Sequence, residues 1–303
     1  MTALHQAAAG AVYDRGYRPY TGPRGGRPES TLALWRLSVR RALGLRRSWR
    51  QKVFPWSLLG LATIPAIVNV GVGWAIRNNP VEMADFEFIT YRQYVGVSTI
   101  LILFVALTAP DVVCPDRAQR VLPLLFSRPL TGVDYVVAKV GAIAFIVFGF
   151  SFLPQVVLFV GQMLVNKDGA LSYFTDHAEV LWQVPISVAL LAIYYAAIGV
   201  ALASLTDRRI VGGVAILGTA FVTTAVGGIL VDASQGDGSP LAWISIFFVP
   251  LDLRDLVFLG HLHPVDSGLS GVNGGGLIAI LAYSGFLLAA IAVLLYRYRE
   301  VDL

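Results

Sequence analysis

Few residues of this chain have the type and spacing to do chemistry. His261 and His263 stand two positions apart, near Asp255 and Asp266, and such side chains could hold a metal ion. The pattern offers no third anchored ligand, so a turn is the favoured interpretation and no metal site is predicted.

Cys114 is the only cysteine, which excludes an internal disulfide. The H-E-x-x-H and G-x-S-x-G patterns are absent, so we expect no catalytic residue. An intramembrane enzyme built on the histidines stays an alternative.

The lysines exclude a phosphate-binding loop of the G-x-x-x-x-G-K type. The chain has only Lys52, Lys139 and Lys167, and none of them follows a glycine. The glycine cluster at 268–276 lacks the lysine and is interpreted as a loop. We therefore expect no cofactor in this chain; if ATP and magnesium are used, they bind to a partner subunit.

The elements that position these residues are long apolar segments. Hydrophobic residues make up 56% of the 303 residues and charged residues only 14%, whereas about 25% is typical of soluble domains. Helices satisfy their own backbone hydrogen bonds in lipid, so the pattern predicts an all-α integral membrane protein. Six transmembrane helices are predicted, at 53–76, 94–113, 135–165, 180–205, 210–231 and 277–296, within one domain at 53–303.

Charged residues are nearly missing from the middle of these segments. Asp111 and Lys139 come nearest, but both fall near segment ends, where they can reach water or pair across a connection. Ion-coupled carriers usually need an acid within the membrane. Ion-coupled transport therefore fits the sequence poorly.

The basic residues indicate the orientation of the chain. They cluster before the first span, in the second connection, in the fourth connection and after the last span. The other side holds only Arg77, Arg92, Lys167 and Arg254. Because lysine and arginine are retained in the cytoplasm, both termini are predicted to be cytoplasmic.

A basic amphipathic segment precedes the first span. Residues 1–29 lack periodicity and are predicted to be a cytoplasmic coil; their tyrosines and arginines are weak evidence for RNA, and no nucleic-acid partner is expected. Residues 30–52 are predicted to form a helix in the membrane plane, capped by Ser30 or Thr31, with lipid as its partner. The residues assigned to this interfacial helix are Trp35, Arg36, Arg40, Arg47 and Trp49.

The connection at 114–134 mixes charge with apolar residues. Its sequence runs "CPDRAQRVLPLLFSRPLTGVD", so charged residues flank a centre that favours burial. Such a pattern is typical of a short helix docked on a partner, although a solvated loop that serves only topology would also fit. The residues assigned to this role are Asp116, Arg117, Arg120, Leu124, Leu125, Arg128, Asp134 and Tyr135.

Two further segments carry packing signals. Span five presents small residues at helical spacing, which let helices approach closely within one subunit or between two. These packing residues are Thr219, Ala220, Thr223, Thr224, Gly227 and Gly228. The outer loop at 232–276 contains "LAWISIFFVPL", too short to span and too apolar for water, so a re-entrant segment of short helices is predicted before the last span.

These features together resemble the type-2 ATP-binding-cassette (ABC) exporter permeases over nearly all of residues 30–303. The most specific part is "LPLLFSRPLTGVDYVVAK", similar to the family pattern in which G-T-L-E-x-L-L-x-x-P precedes a tyrosine and a lysine that open the next helix. Arg120 and Pro123 stand where that pattern has glycine and glutamate.

The resemblance implies a dimer of identical or homologous permeases with two cytoplasmic ATPase subunits. A coupling helix at residues 116 to about 130, together with the interfacial helix, would pass force from the ATPases to the membrane. Spans one and five would meet at the dimer interface, and spans two and five would line a largely apolar substrate path that includes Thr99, Phe104 and Phe221.

The function expected from the resemblance is that of the permease subunit of an ATP-driven exporter in a bacterial plasma membrane. Its substrate would be a hydrophobic or amphiphilic compound such as a drug, an antibiotic or a lipid. The alternative is a membrane scaffold or sensor that recruits a cytoplasmic partner without transport.

Overall fold

Eleven α-helices and one 3₁₀ turn account for most of the described chain. The computed structural model describes residues 25–45, 49–78, 90–95, 98–127, 129–166, 169–234 and 238–299. In chain order the helices are α1 (Arg27–Ala42), α2 (Trp49–Asn78), α3 (Tyr91–Val95), α4 (Ser98–Ala118), α5 (Leu122–Phe126), α6 (Gly132–Val165), α7 (Ala170–Asp176), α8 (Val180–Ser204), α9 (Arg209–Asp232), α10 (Val249–Leu259) and α11 (Gly275–Arg299), with the 3₁₀ turn at Ala242–Ile244.

Six of these helices are long and apolar enough to cross a membrane, as expected of a multi-pass membrane protein. They are α2, α4, α6, α8, α9 and α11. The core forms around α8, which packs against α4, α6, α9, α10 and α11. Most of α2, α9 and α11 stays uncovered within the single chain, so these helices present apolar surface to lipid or to another subunit.

The helix ends follow local sequence signals. Thr131 and Asp134 form a capping box, in which Asp134 N–H donates to Thr131 Oγ1 over 3.3 Å and the Asp134 carboxylate accepts from Thr131 N–H over 2.9 Å. This cap starts α6 at Gly132, before the predicted start at 135. Pro154 lies inside α6 without ending it.

The amphipathic helix differs from its predicted range of 30–52. It begins at Arg27 with Pro28 in its first turn, so the predicted caps Ser30 and Thr31 lie inside the helix. It ends at Ala42 because Gly44 adopts a left-handed conformation with φ of 66°, a frequent helix terminator. Arg47 lies outside the described residues, and Trp49 belongs to α2.

The segment predicted to be re-entrant forms the 3₁₀ turn and α10. The Tyr194 and Tyr195 hydroxyls of α8 donate to the carbonyl oxygens of Ile246 and Phe247, over 2.9 and 2.8 Å. Phe247 is fully buried beneath them. These contacts attach the segment to the central helix, so it is part of the packed bundle.

Candidate functional site

The ends of five long helices meet at what we call the basic end of the bundle, where α4, α8 and α11 end and α6 and α9 begin. Asp116 lies at its centre. Its carboxylate accepts from Arg41 Nη1 of α1 over 2.6 Å and from the Tyr135 hydroxyl of α6 over 3.1 Å. Lys139 Nζ lies 2.6 Å from the same carboxylate. One aspartate therefore joins α1, α4 and α6.

Lys139 is the most deeply buried charged residue of this group. Its side chain is 2% exposed, and its ammonium also donates to the Val112 carbonyl oxygen over 3.0 Å. A buried ammonium needs a counter-charge and hydrogen-bond acceptors, and Asp116 and Val112 provide both. The sequence placed Lys139 only near a segment end. A usable signal was its position one turn after Tyr135, which puts both side chains on one helix face.

A second group of contacts extends this network to α8 and α9. Arg117 donates to the carbonyl oxygen of Ser204, the last residue of α8, and lies 3.0 Å from Asp207. Arg209 of α9 lies 2.8 Å from Asp111 of α4. Together these contacts fix the end of α4 against α8 and α9.

Two aromatic contacts bring α11 and α5 into the same assembly. Tyr298 of α11 packs on Tyr135 with ring centroids 4.7 Å apart. Phe126 of α5 lies on another side of Tyr135, at 6.1 Å. The network thus reaches from α1, the first helix that the structure describes, to α11.

The α1 helix is attached to this network at both of its ends. Arg27 Nε donates to Asp134 over 2.7 Å at the N-terminal end, and Arg41 binds Asp116 at the C-terminal end. Trp35 lies edge-on against Phe145 of α6, at 5.2 Å. Its ring therefore packs on α6. The predicted Arg36 and Arg40 are exposed.

The short helix α5 projects from this network. Leu122 is buried at its base, Leu125 is half-buried, and Leu124 is 69% exposed. The predicted coupling segment thus contains a helix with an apolar residue on its outer surface. It is shorter than the predicted 116–130, because α4 continues to Ala118. Arg128 lies outside the described residues.

Arg120 occupies the turn between α4 and α5 with φ of 52°, in the left-handed region. Its N–H donates to the Arg117 carbonyl over 2.9 Å, and the next N–H, of Val121, donates to the Asp116 carbonyl over 3.0 Å. This is the Schellman arrangement, in which the left-handed position is usually glycine.

We expect Arg120→Gly to stabilise the fold by about 1 kcal/mol, because a left-handed conformation is unfavourable for a residue with a Cβ. Thermal unfolding of the purified protein measures the change. Gln119→Gly, one position earlier, is the control; it relieves no left-handed strain and should not raise the midpoint.

The predicted packing and path residues fall on different surfaces. Phe104 is 1% exposed and packs on Phe150 at 4.5 Å, so within one chain it belongs to the core. Phe221 is 77% exposed, and Thr99 is exposed. The structure therefore does not bring the three path residues onto one surface of this chain.

The small packing residues predicted in span five, which is α9, also lie on different surfaces. Ala220 and Gly227 face the interior, where Gly227 leaves room for Ser245. Thr219 and Thr223 are partly covered, and the Thr223 hydroxyl donates to the Thr219 carbonyl. Thr224 and Gly228 line a cavity at the opposite end of the bundle. Some of these residues thus pack inside the subunit and others remain accessible.

An ion-pair cluster at the opposite end was missed by the sequence analysis. Asp255 is 1% exposed and lies 2.9 Å from Arg92 and 2.7 Å from Arg254. Arg92 also lies 2.7 Å from Asp266, which pairs with His263 at 3.2 Å. In the described part of the chain no three His, Cys, Asp or Glu side chains are grouped to hold a metal. The cluster joins α3, α10 and the loop after α10.

Beside this cluster, burial raises the pKa of Asp252 to about 6, more than its hydrogen bond to Ser267 lowers it. A carboxyl whose folded pKa exceeds its unfolded value favours folding below pH 4 and loses this contribution as the pH rises through 6. We expect Asp252→Asn to be more stable than the wild type at pH 7, by on the order of 2–3 kcal/mol. This difference should shrink towards pH 4 in chemical unfolding measurements.

Comparison with models of known protein families gave no match, and comparison with curated proteins gave none.

Proposed function

We propose that this chain is the transmembrane subunit of an ATP-driven exporter of the ABC type. The observation that carries the proposal is the position of α5. This helix, with its exposed leucine, follows directly on the end of α4 that Asp116 and Arg117 join to α1 and α8, and its Phe126 packs against Tyr135 of α6. A solvated loop needs no such anchoring, whereas an element that transmits force does.

The arrangement suggests how force would pass into the membrane. An ATPase subunit pressing on Leu124 would move α5 against Tyr135 and the α4–α6 junction. The contacts of Asp116 would pass that displacement to α1 and α6, and those of Arg117 would pass it to α8. ATP and magnesium would bind to the ATPase, and this chain would perform no covalent chemistry.

The uncovered apolar helices fit a dimeric permease with two ATPase subunits. The accessible face of α9 carries Phe221 and ends at Thr224 and Gly228, so a second permease copy or a homologue would pack there. A hydrophobic or amphiphilic substrate would move along this face. The basic end would face the cytoplasm of a bacterium, with both termini, because lysine and arginine are retained on that side.

Co-purification from the native membrane tests the composition of the complex. We expect the full chain to carry a subunit with a phosphate-binding loop, in a ratio of two permeases to two ATPases by native mass spectrometry. A partner without such a loop, bound equally with and without nucleotide, would instead support the scaffold or sensor function.

A further inference from the structure

A cavity of about 500 Å³ lies at the opposite end of the bundle from α5. It is lined by residues of α2, α3, α6, α8 and α10 and by Tyr173 of α7, so it is separate from the face of α9 assigned to transport. Its volume is within the range of ligand sites, which is about 300–1,000 Å³. Its lining combines side-chain amides, aromatic rings and apolar residues such as Leu158 and Phe258.

Three side-chain amides line this cavity. Gln162 Nε2 of α6 donates to Asn69 Oδ1 of α2 over 2.6 Å. Gln183 of α8 is only 7% exposed, and its side chain lines the cavity. An amide at the wall of a cavity needs hydrogen-bond partners there, from water or from a ligand. The side chain of Gln183 thus offers donors and an acceptor to a molecule in the cavity.

Polar groups continue from the cavity into the contact between α6 and α8. Ser187 stands one turn from Gln183, and Gln155 two turns from Gln162, on the corresponding helix faces. Ser187 Oγ and Gln155 Oε1 are buried without a hydrogen bond within the described chain. Apolar residues would pack this contact at lower free energy, so its polarity indicates a role other than stability.

The charges around the cavity limit what can enter it. Arg92 is occupied by Asp255 and Asp266, and Glu179 is exposed at the rim. Among the lining residues that the structure describes, the one charge outside an ion pair is that of Glu179 at the rim, so a charged group inside the cavity would lose its hydration without a buried counter-charge from them. Side-chain amides both donate and accept, as hydroxyl groups do. His177 and Tyr173 stack at 4.2 Å and provide a flat wall.

We propose that this cavity binds an uncharged, hydroxyl-rich group, such as the sugar head of a glycosylated amphiphile, with Gln183 as its main hydrogen-bonding partner. The amide of Gln183 bonds to ligand hydroxyls, while the stacked rings and the apolar wall contact the ring of the ligand. This binding requires no ATPase, so its test is independent of the transport proposal.

The test uses the purified full chain in nanodiscs of phosphatidylethanolamine and phosphatidylglycerol. Octyl glucoside, octyl trimethylammonium and octyl sulfate, all below their micelle concentrations, share one tail and differ in head-group charge. Binding raises the unfolding midpoint in a saturable way. We expect octyl glucoside to do so and the charged compounds not, with affinity about tenfold weaker in Gln183→Leu.

Gln119→Leu, the same substitution at the basic end, should bind octyl glucoside as the wild type does. If Gln183→Leu does not fold, His177→Ala, at the partly exposed wall, should weaken binding severalfold. Glucose binding as tightly as octyl glucoside would identify a free sugar as the source; binding of the glucoside alone would identify a membrane amphiphile. Absence of saturable glucoside binding, or equal binding of all three octyl compounds, would overturn the proposal.

Discussion

Replacing Leu124 by aspartate is expected to abolish stimulation of the partner ATPase without unfolding the protein. Leu124 is 69% exposed on α5, so its replacement removes little burial within the chain. At an interface, a central apolar anchor typically contributes about 2 kcal/mol or more, and a buried unpaired carboxylate is unfavourable. We expect at least a tenfold loss of binding when the proposed partner ATPase is titrated against this chain in nanodiscs.

The chain offers a matched control for this substitution. Leu171 of α7 is 77% exposed and lies near the opposite end of the bundle. Leu171→Asp introduces the same charge at a similarly exposed leucine, and we expect it to leave ATPase binding unchanged. Equal losses in both variants would show that α5 is not the docking element.

Breaking the pair of Asp116 and Lys139 is expected to have the largest effect on stability. Lys139→Met leaves Asp116 with one fewer cation, and Asp116→Leu leaves a buried ammonium without a counter-charge. Each single variant should lose roughly 3–5 kcal/mol of unfolding free energy. The double variant should recover most of this loss, because two apolar side chains then fill the space and Arg41, which is partly exposed, can turn to water.

The two single variants and the double variant form a double-mutant cycle, and the pair of Arg209 and Asp111 serves as its comparison. Their side chains are 45% and 29% exposed, so their coupling energy should be about 0–1 kcal/mol. Unfolding of all variants in mixed micelles measures both couplings. Additive losses for Asp116→Leu and Lys139→Met would mean that the two groups do not stabilise each other. The pair would then not be the central interaction of the network.

The long helices could be predicted from the sequence because lipid imposes a length and an apolar composition on each span. The spans predicted at 180–205 and 210–231, for example, correspond to the helices α8 (Val180–Ser204) and α9 (Arg209–Asp232). The errors occur where a local signal outweighs hydropathy. Gly44 ends α1 early through backbone hydrogen bonds, and Thr131 starts α6 early through hydrogen bonds between side chains and the backbone.

The site could be predicted only in part. Asp116, Arg117, Asp134 and Tyr135 were assigned to it from their shared segment, and they do lie together. The choice of partner depends on packing between distant segments: Arg41 reaches Asp116 across 75 positions of the chain. The same reason hid the pairing of Arg92 with Asp255 and Asp266, which follow it in the chain by 163 and 174 positions.

ATP-dependent flux through proteoliposomes tests the central claim most directly. The permease and its co-purified ATPase would be reconstituted together, and movement of a fluorescent amphiphile would be followed after addition of ATP and magnesium. We expect flux that requires hydrolysis and is lost in Leu124→Asp but not in Leu171→Asp. A stable complex that hydrolyses ATP at the same rate with either variant and moves no amphiphile would contradict the account.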